Sequence, residues 1–397
     1  MLLTTIGEAF EINPQVRIPK GTEVPFVTMD QVVPGQRNVS AAENRVFKGG
    51  SKFEHGDTLM ARITPCLENK KIAQYLPPNH ASPSAGSTEF IVIRGKNGVS
   101  ITPFAYYFVQ SPDIHELAIS LMTGTSGRQR VDTEAFRMSE IWLPNLTIQE
   151  KIVKVLGSLD DKIAVNNRII ETADCLVDAL YHQVKKLPPN STFGEEFEIY
   201  GGTTPSTKND EFWGGDIFWA TPTDITALNG PWLLNTSRTI THSGLKATSS
   251  ILHPENAILM TSRATIGKTA LASTPITTNQ GFIVIHAPKD LVPWLFSQLR
   301  NRTHEFESWA NGATFLELPR GVFKTLPFIR CDKDQLARFN ATAWPLLKHI
   351  EATQQENQTL ARTRDELLPL LMSGKITVRD AEEASAEVGV DKHEVEE

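Results

Sequence analysis

A glycine, a lysine and a hydroxyl stand in a row at Gly267-Lys268-Thr269, like the end of a loop that wraps nucleotide phosphates. Such a loop also needs a glycine five positions earlier, where this chain has Ser262, so ATP binding is not supported and a turn is the better reading. Methyl transfer to a base amine calls for an Asp, Asn or Ser, two prolines and an aromatic residue. The two Pro-Pro pairs, Leu76-Pro77-Pro78-Asn79 and Leu187-Pro188-Pro189-Asn190, have leucine before and asparagine after. Glu68-Asn69-Lys70 has the Glu-x-Lys spacing of some nucleases, but the acid in Pro112-Asp113 comes after it, in the wrong order, which leaves a solvated basic loop. The 10 histidines show no metal-ligand spacing. Cys66, Cys175 and Cys331 lie far apart with no CxxC pair, as expected of thiols in a reducing cytoplasm. The residues call for no cofactor, no metal and no enzymatic activity.

Residue types suited to recognition are better represented. Gly124-Thr125-Ser126-Gly127-Arg128-Gln129-Arg130 reads as a flexible loop with two arginines and a glutamine. An arginine fork can take both acceptors of a guanine, a glutamine can pair with adenine, and both can hold phosphate; a solvated surface loop would have the same composition. Arg128 or Arg130 is the expected base reader. Arg62, Lys70 and Lys71 follow a strand-like run in the first half, as Arg263 and Lys268 do in the second, which suits phosphate contact. Thr203, Thr204, Ser206, Thr207 and Lys208 occupy a Gly-rich loop, while Trp213 and Trp219 read as packing residues rather than base-stacking ones. The net charge of −7 runs against the basic footprint of a nucleic-acid binder. Asp380–Glu397, with eight acids against the single base Lys392, carries all of that charge and leaves residues 1–379 neutral. This tail lacks apolar periodicity and is expected to be disordered and dispensable.

The elements that must position these residues occur twice. TIGEAFEI (5–12) returns as TFGEEFEI (192–199), at an offset of 187. PFVTMDQV (25–32) is echoed by IFWATPTDI (217–225), and EFIVIR (89–94) by GFIVIH (281–286). DTLMARI (57–63) is echoed by AILMTSRAT (257–265), each apolar run ending near an arginine, Arg62 or Arg263. Phe136 and Ile141 return as Phe323 and Phe328. Each half then ends in a long helical pattern. In the first, Thr147 with Glu150 forms an expected capping box. Apolar or small residues follow at 148, 152, 155, 159, 163, 170, 173, 177, 180 and 184, a coiled-coil seam with Asn166 on it. In the second, Asp332 is the expected cap, with Gln335 at N3, and Gly374 the stop. Its polar middle, Glu351–Thr359, would fray alone, so a partner helix is implied. At 397 residues the chain is long enough for two or more domains, and it has no apolar run near the ~20 residues of a membrane span. The N-terminus lacks the pattern of an export signal.

Along nearly its whole length apart from the acidic tail, the chain resembles the specificity (S) subunits of Type I restriction–modification systems. The carrying segments are GGTTPSTKNDEFWGGDIFWATPTDI (201–225), LMTSRATIGKTAL (259–271), TNQGFIVI (278–285) and RDELLPLLMSGKI (364–376). The first repeat departs from the pattern, with NPQVRIPKG in place of GGTTPS, so the two halves should differ in specificity. The resemblance implies an α+β fold: two repeated target-recognition domains separated by two long antiparallel helices in a coiled coil, with pseudo-twofold symmetry. Residues 1–146 and 188–331 would be the domains, 147–187 and 332–376 the helices, and 377–397 the tail. It further implies a non-catalytic cytoplasmic protein that recognises an asymmetric, two-part site in double-stranded DNA. Its partners would be two methyltransferase (M) subunits and, in the full complex, restriction (R) subunits. A duplicated-domain protein–protein scaffold that does not recognise DNA is the alternative.

Overall fold

The structure is a computed structural model that describes residues 2–77, 83–125, 127–263, 265–312 and 316–390. It divides into two compact units, Met1–Ala164 with Gln358–Glu397, and Val165–Asn357. Each unit is built on a five-stranded sheet. In the first the strand order is Phe10–Ile12, Phe90–Gly95, Thr58–Ala61, Ile72–Tyr75 and Asn38–Val39. In the second it is Glu198–Gly201, Phe282–His286, Ile258–Thr261, Thr269–Ala272 and Trp232–Leu233. The topology is the same, with the outer pair parallel and the others antiparallel. Each unit also has a smaller sheet in which one strand, Glu23–Val27 or Trp213–Ala220, pairs antiparallel on one side and parallel on the other.

The sequence echoes now have physical causes. TIGE and TFGE are capping boxes: Thr5 with Glu8, and Thr192 with Glu195, each open a four-residue helix. The strand before each box pairs with a later strand, Thr4 opposite Ile141 and Ser191 opposite Phe328, so the offset of 187 is kept. Phe90–Ile93 and Phe282–Ile285 are buried central strands, hence their continuous apolar character. In the smaller sheets Phe26 corresponds to Trp219, because Val27 and Ala220 accept equivalent hydrogen bonds, from Ser87 N and Asn279 N.

One sequence echo shifts by a residue. The Arg62 amide donates to Glu89 O and the Ser262 amide to Gly281 O, so Arg62 corresponds to Ser262, and Arg263 to Ile63. The arginines share a loop but not a position.

The long helices span Leu146–Gln183 and Lys333–Ser373. The first is capped by Asn145, whose side chain accepts from Ile148 N at 3.0 Å, and not by Thr147, which lies inside the helix. Gln149 is buried and bonded to Pro144 O and Val99 O and to the Ile101 amide, fixing the helix start on the first unit. Asp332 caps the second helix, and Gly374 ends it at φ +69°. Within the second unit the two helices run antiparallel: Asn166 meets Glu356 and Asn357, while Lys186 bridges Cys331. Asn166 is buried on the seam, a polar contact that fixes register. The polar middle of the second helix is also anchored to the globular part of that unit. Gln354 exchanges hydrogen bonds with the backbone of Trp232, and Glu351 accepts from Ser273 Oγ and Lys348. In the first unit, buried Asp160 accepts from Arg364 at 2.6 Å and from Tyr107 Oη at 2.7 Å. Removing one partner of such a buried pair costs about 3–5 kcal/mol.

The tail differs from expectation. Val378–Glu387 is a helix opened by a Thr377/Asp380 capping box. Ala381 and Ser385 are buried, and Ala384, Val388 and Val390 pack on the core of the first unit. The acids fall on the other face. An amphipathic face one residue wide in alanine is too weak to register as periodicity, although it suffices against a preformed apolar surface. Residues 391–397, the rest of the acidic segment, lie outside the described residues.

Candidate nucleic-acid interface

Apart from Thr204, Ser206 and Lys208, which lie on the Gly-rich loop of the second unit, the candidate residues sit on one hairpin connection in each unit and on the chain that crosses it. In the first unit the connection between Thr58–Ala61 and Ile72–Tyr75 carries Arg62, Lys70 and Lys71. The 124–130 loop returns beside it: Thr64 N donates to Gln129 O at 3.1 Å, Val131 N donates to Arg62 O at 2.9 Å, and Ile63 bridges Arg130. Arg62, Gln129 and Arg130 are therefore brought together, although Ser126 within the loop is not among the described residues.

Glu89 organises that cluster. Its carboxylate accepts from Arg130 Nε and Nη2, at 3.0 and 2.7 Å, and lies 4.0 Å from Arg62 Nε. The hydrogen bonds from Arg130 hold this carboxyl below its ordinary range. One edge of the Arg130 fork is thus occupied. Arg128, by contrast, is exposed and makes no side-chain hydrogen bond or ion pair with the described residues. Lys71 Nζ donates to Met29 O at 2.8 Å, so it is held by a backbone carbonyl. Lys70, in a left-handed turn at φ +51°, instead lines a cleft of about 130 Å³ with Tyr106, Gln110 and Arg364.

The second unit repeats the layout with different side chains. The connection between Ile258–Thr261 and Thr269–Ala272 carries Arg263 and Lys268. Leu318 N donates to Ser262 O, as Val131 N does to Arg62 O, so Glu317 stands where Arg130 stands in the first unit. Arg263 Nη2 reaches Glu317 Oε1 at 3.0 Å. In the second unit the Arg–Glu pair ties the crossing chain to the hairpin, whereas in the first it ties the crossing chain to Glu89, just before the strand Phe90–Gly95. Asn311 bridges Glu317 as Thr123 pairs with Arg130, so the segment corresponding to the 124–130 loop is 312–317, which sequence composition does not mark because it lacks basic residues. Within it 313–315 lie outside the described residues, as Ala264 does. Gly267, at φ +84°, closes the hairpin, and no helix follows it as a nucleotide-binding loop would require. Exposed Lys268 lines a cleft of about 300 Å³ with Asp174, Arg300 and Thr303.

The Gly-rich loop lies beside this hairpin. Gly202 passes so close to Thr278 that a Cβ would stand 2.1 Å from its carbonyl oxygen, so only glycine fits. Thr203 O accepts from Trp219 Nε1 and Ser206 O from Trp213 Nε1, both at 3.1 Å, while Thr204 Oγ1 donates to Gln280 at 2.7 Å. The tryptophans therefore pack and brace the loop, as their sequence reading expects. Ser206, Thr207 and Lys208 are left exposed. Among the described residues no group of three or more His, Cys, Asp or Glu side chains could hold a metal ion, and no helix is long and apolar enough to cross a membrane. The cysteines are free. Pro78 and Asn79 of the first Pro-Pro segment fall outside the described residues.

Comparison with known proteins adds an independent line. The family model of the Type I restriction modification DNA specificity domain matches residues 65–173 and again 190–329. The Type I restriction enzyme MjaIX specificity subunit of Methanocaldococcus jannaschii is 34% identical over 174 residues, 43% of this chain and 40% of that protein. The EcoAI specificity subunit of Escherichia coli is 30% identical over 155 residues, 38% of this chain and 26% of that protein. The matched stretches thus span well under half of these relatives. The crystal structure of a Type I restriction-modification system S subunit from M. genitalium shares the fold, with a TM-score of 0.53 at 15% identity over 93% of this chain and 95% of that one.

Proposed function

The chain belongs to the family of Type I restriction-modification specificity subunits, and on that premise we propose that it recognises an asymmetric, two-part sequence in double-stranded DNA without catalysing any reaction itself. The observation that carries this reading is the duplicated hairpin-and-crossing-chain site. Two units of one topology place different side chains at equivalent positions, Arg130 in one and Glu317 in the other. A duplicated reader with unlike reading residues suits two unlike half-sites.

Arg128, Arg130, Gln129 and Arg62 would serve the first half-site, with Lys70 and Lys71. Thr204, Ser206, Lys208, Arg263 and Lys268 would serve the second. Of these, Arg128 is the strongest candidate for the first unit, because nothing described competes for its fork. The M subunits would dock on the long helices, where Val165, Ile169 and Leu176 are exposed at spacings that share one face. R subunits would join in the full complex, in the cytoplasm.

The test begins with methylome sequencing of the host with and without the gene. Deletion should abolish methylation at one two-part motif. A duplex carrying that motif is then titrated across salt with the assembled methyltransferase. Arg128→Ala should weaken binding, relaxing one base position or lowering the salt slope by about one. An unchanged methylome would overturn the reading in favour of a protein scaffold.

A further inference from the structure

In the second unit, the strand Trp213–Ala220 is interrupted by a bulge: Trp213 and Ile217 both register against Ile240. Gly214 takes φ +75°, and a Cβ on Gly215 would meet Ile240 O at 2.6 Å, so the excursion depends on both glycines. It brings Trp213 edge-on to Trp219, with ring centroids 4.9 Å apart. Arg238 lies over this pair. Its guanidinium carbon stands 3.5 Å from the Trp213 centroid and 5.6 Å from that of Trp219. The Arg238 carbonyl accepts from Trp219 N, which fixes the backbone beneath the stack. The side chain is exposed and makes no hydrogen bond or ion pair with the described residues.

That combination is unusual in this molecule. Arg62, Arg130 and Arg263 face glutamates, and Arg300 is paired with Asp174. Arg238 is held in orientation by an aromatic face alone, which leaves the in-plane N–H donors of its fork unspent. The same juxtaposition occurs in the first unit, where Arg45 lies 4.6 Å over Phe26, the residue that corresponds to Trp219. There Glu43 occupies the fork through Nε at 2.6 Å. The second unit thus keeps an oriented, uncommitted guanidinium beside the braced loop Thr203–Lys208.

Resting on the DNA-recognition reading above, we propose that Arg238, stacked on Trp213, reads a guanine in the half-site served by the second unit. Guanine offers O6 and N7 side by side in the major groove, the two-acceptor edge that a planar fork matches. A phosphate contact would need neither the plane nor the stack, and lysine would serve it as well.

The probe is a duplex carrying the motif found by methylome sequencing, with each specified position of both halves replaced in turn. It is bound by methyltransferase assembled with wild-type chain, Arg238→Ala, Arg238→Lys or Trp213→Phe. A swap of residues 190–331 identifies which half the second unit serves. Arg238→Ala should lose roughly 10- to 100-fold on the cognate duplex and stop discriminating one G·C pair in that half, with every other position unchanged. Arg238→Lys should behave like the alanine variant. Trp213→Phe, which keeps a ring under the guanidinium, should retain discrimination at that pair with weaker affinity. Equal weakening on cognate and scrambled duplexes, rescue by lysine, or no effect would each overturn the assignment, as would a half-site without a G·C pair. If no two-part motif depends on the gene, the functional reading fails and takes this assignment with it; a dependent motif with unaffected Arg238 variants sinks the assignment alone.

Discussion

Single residues in this chain are informative through what already occupies them. A guanidinium with a bidentate glutamate has spent the donors that a base edge would take, whereas one lying on an indole has not. That contrast divides arginines that sequence composition treats alike: Arg130 and Arg263 are paired with glutamates, while Arg128 and Arg238 are exposed and make no ion pair with the described residues. A buried histidine follows the same logic with protons. His253 is fully buried, 3.0 Å from His286 through Nδ1, with Nε2 unpartnered among the described residues. Burial first, and the neighbouring His286 second, lower its pKa from 6.5 to about 4. Because the folded value is depressed, protons favour the unfolded chain. The stability this neutral histidine confers is complete above pH 6.5 and is lost as the pH falls towards 4. The stability of the second unit should therefore fall across that window by an amount on the order of 3 kcal/mol, lowering its melting temperature, and His253→Gln should flatten the drop. Thermal scans of both proteins from pH 7 to pH 4 check this; parallel curves would show that His253 is not the sensor.

Elements were legible in the sequence where their cause is local. The capping boxes at Thr5 and Thr192, the buried strands at Phe90 and Phe282 and the stop at Gly374 depend on a few adjacent side chains, and repetition doubled the signal. Elements whose cause is distant were not. The polar middle of Lys333–Ser373 looked unstable because Gln354 and Glu351 find their partners, Trp232 and Ser273, some hundred residues away in sequence. The one-residue displacement of Arg263 relative to Arg62 was invisible without backbone pairing. The C-terminal helix is illegible for the same reason, since the face it buries, Ala381, Ala384 and Ser385, consists of small side chains that gain meaning only against the core they cover. Truncation after Arg379 would remove Ala381, Ala384, Val388 and Val390 from that core. The loss should be about 2–4 kcal/mol, lowering the melting temperature of the first unit by roughly 5–10 °C. Calorimetry of the truncated chain decides the matter; an unchanged transition would restore the view of a dispensable tail.

At the scale of the whole molecule, the informative fact is that each long helix is continuous through the unit boundary, at Ala164–Val165 in one and Asn357–Gln358 in the other. Each unit keeps its own cores, its own hairpin site and its own half of both helices. Reading by one unit should then be separable from reading by the other. Replacing residues 190–331 with the corresponding domain of another specificity subunit should change one half of the methylated motif and leave the other half, and the spacer, as they were. The spacer should respond to helix length instead. Seven extra residues in each helix keep the heptad seam in phase and add about 10.5 Å of rise, the length of about three base pairs. Methylome sequencing of both variants separates the two effects: the domain swap alters one half, and the paired insertion alters the spacer or abolishes modification. A swap that altered both halves together would mean that the units do not read independently, and an insertion that left the spacer unchanged would mean that helix length does not set it.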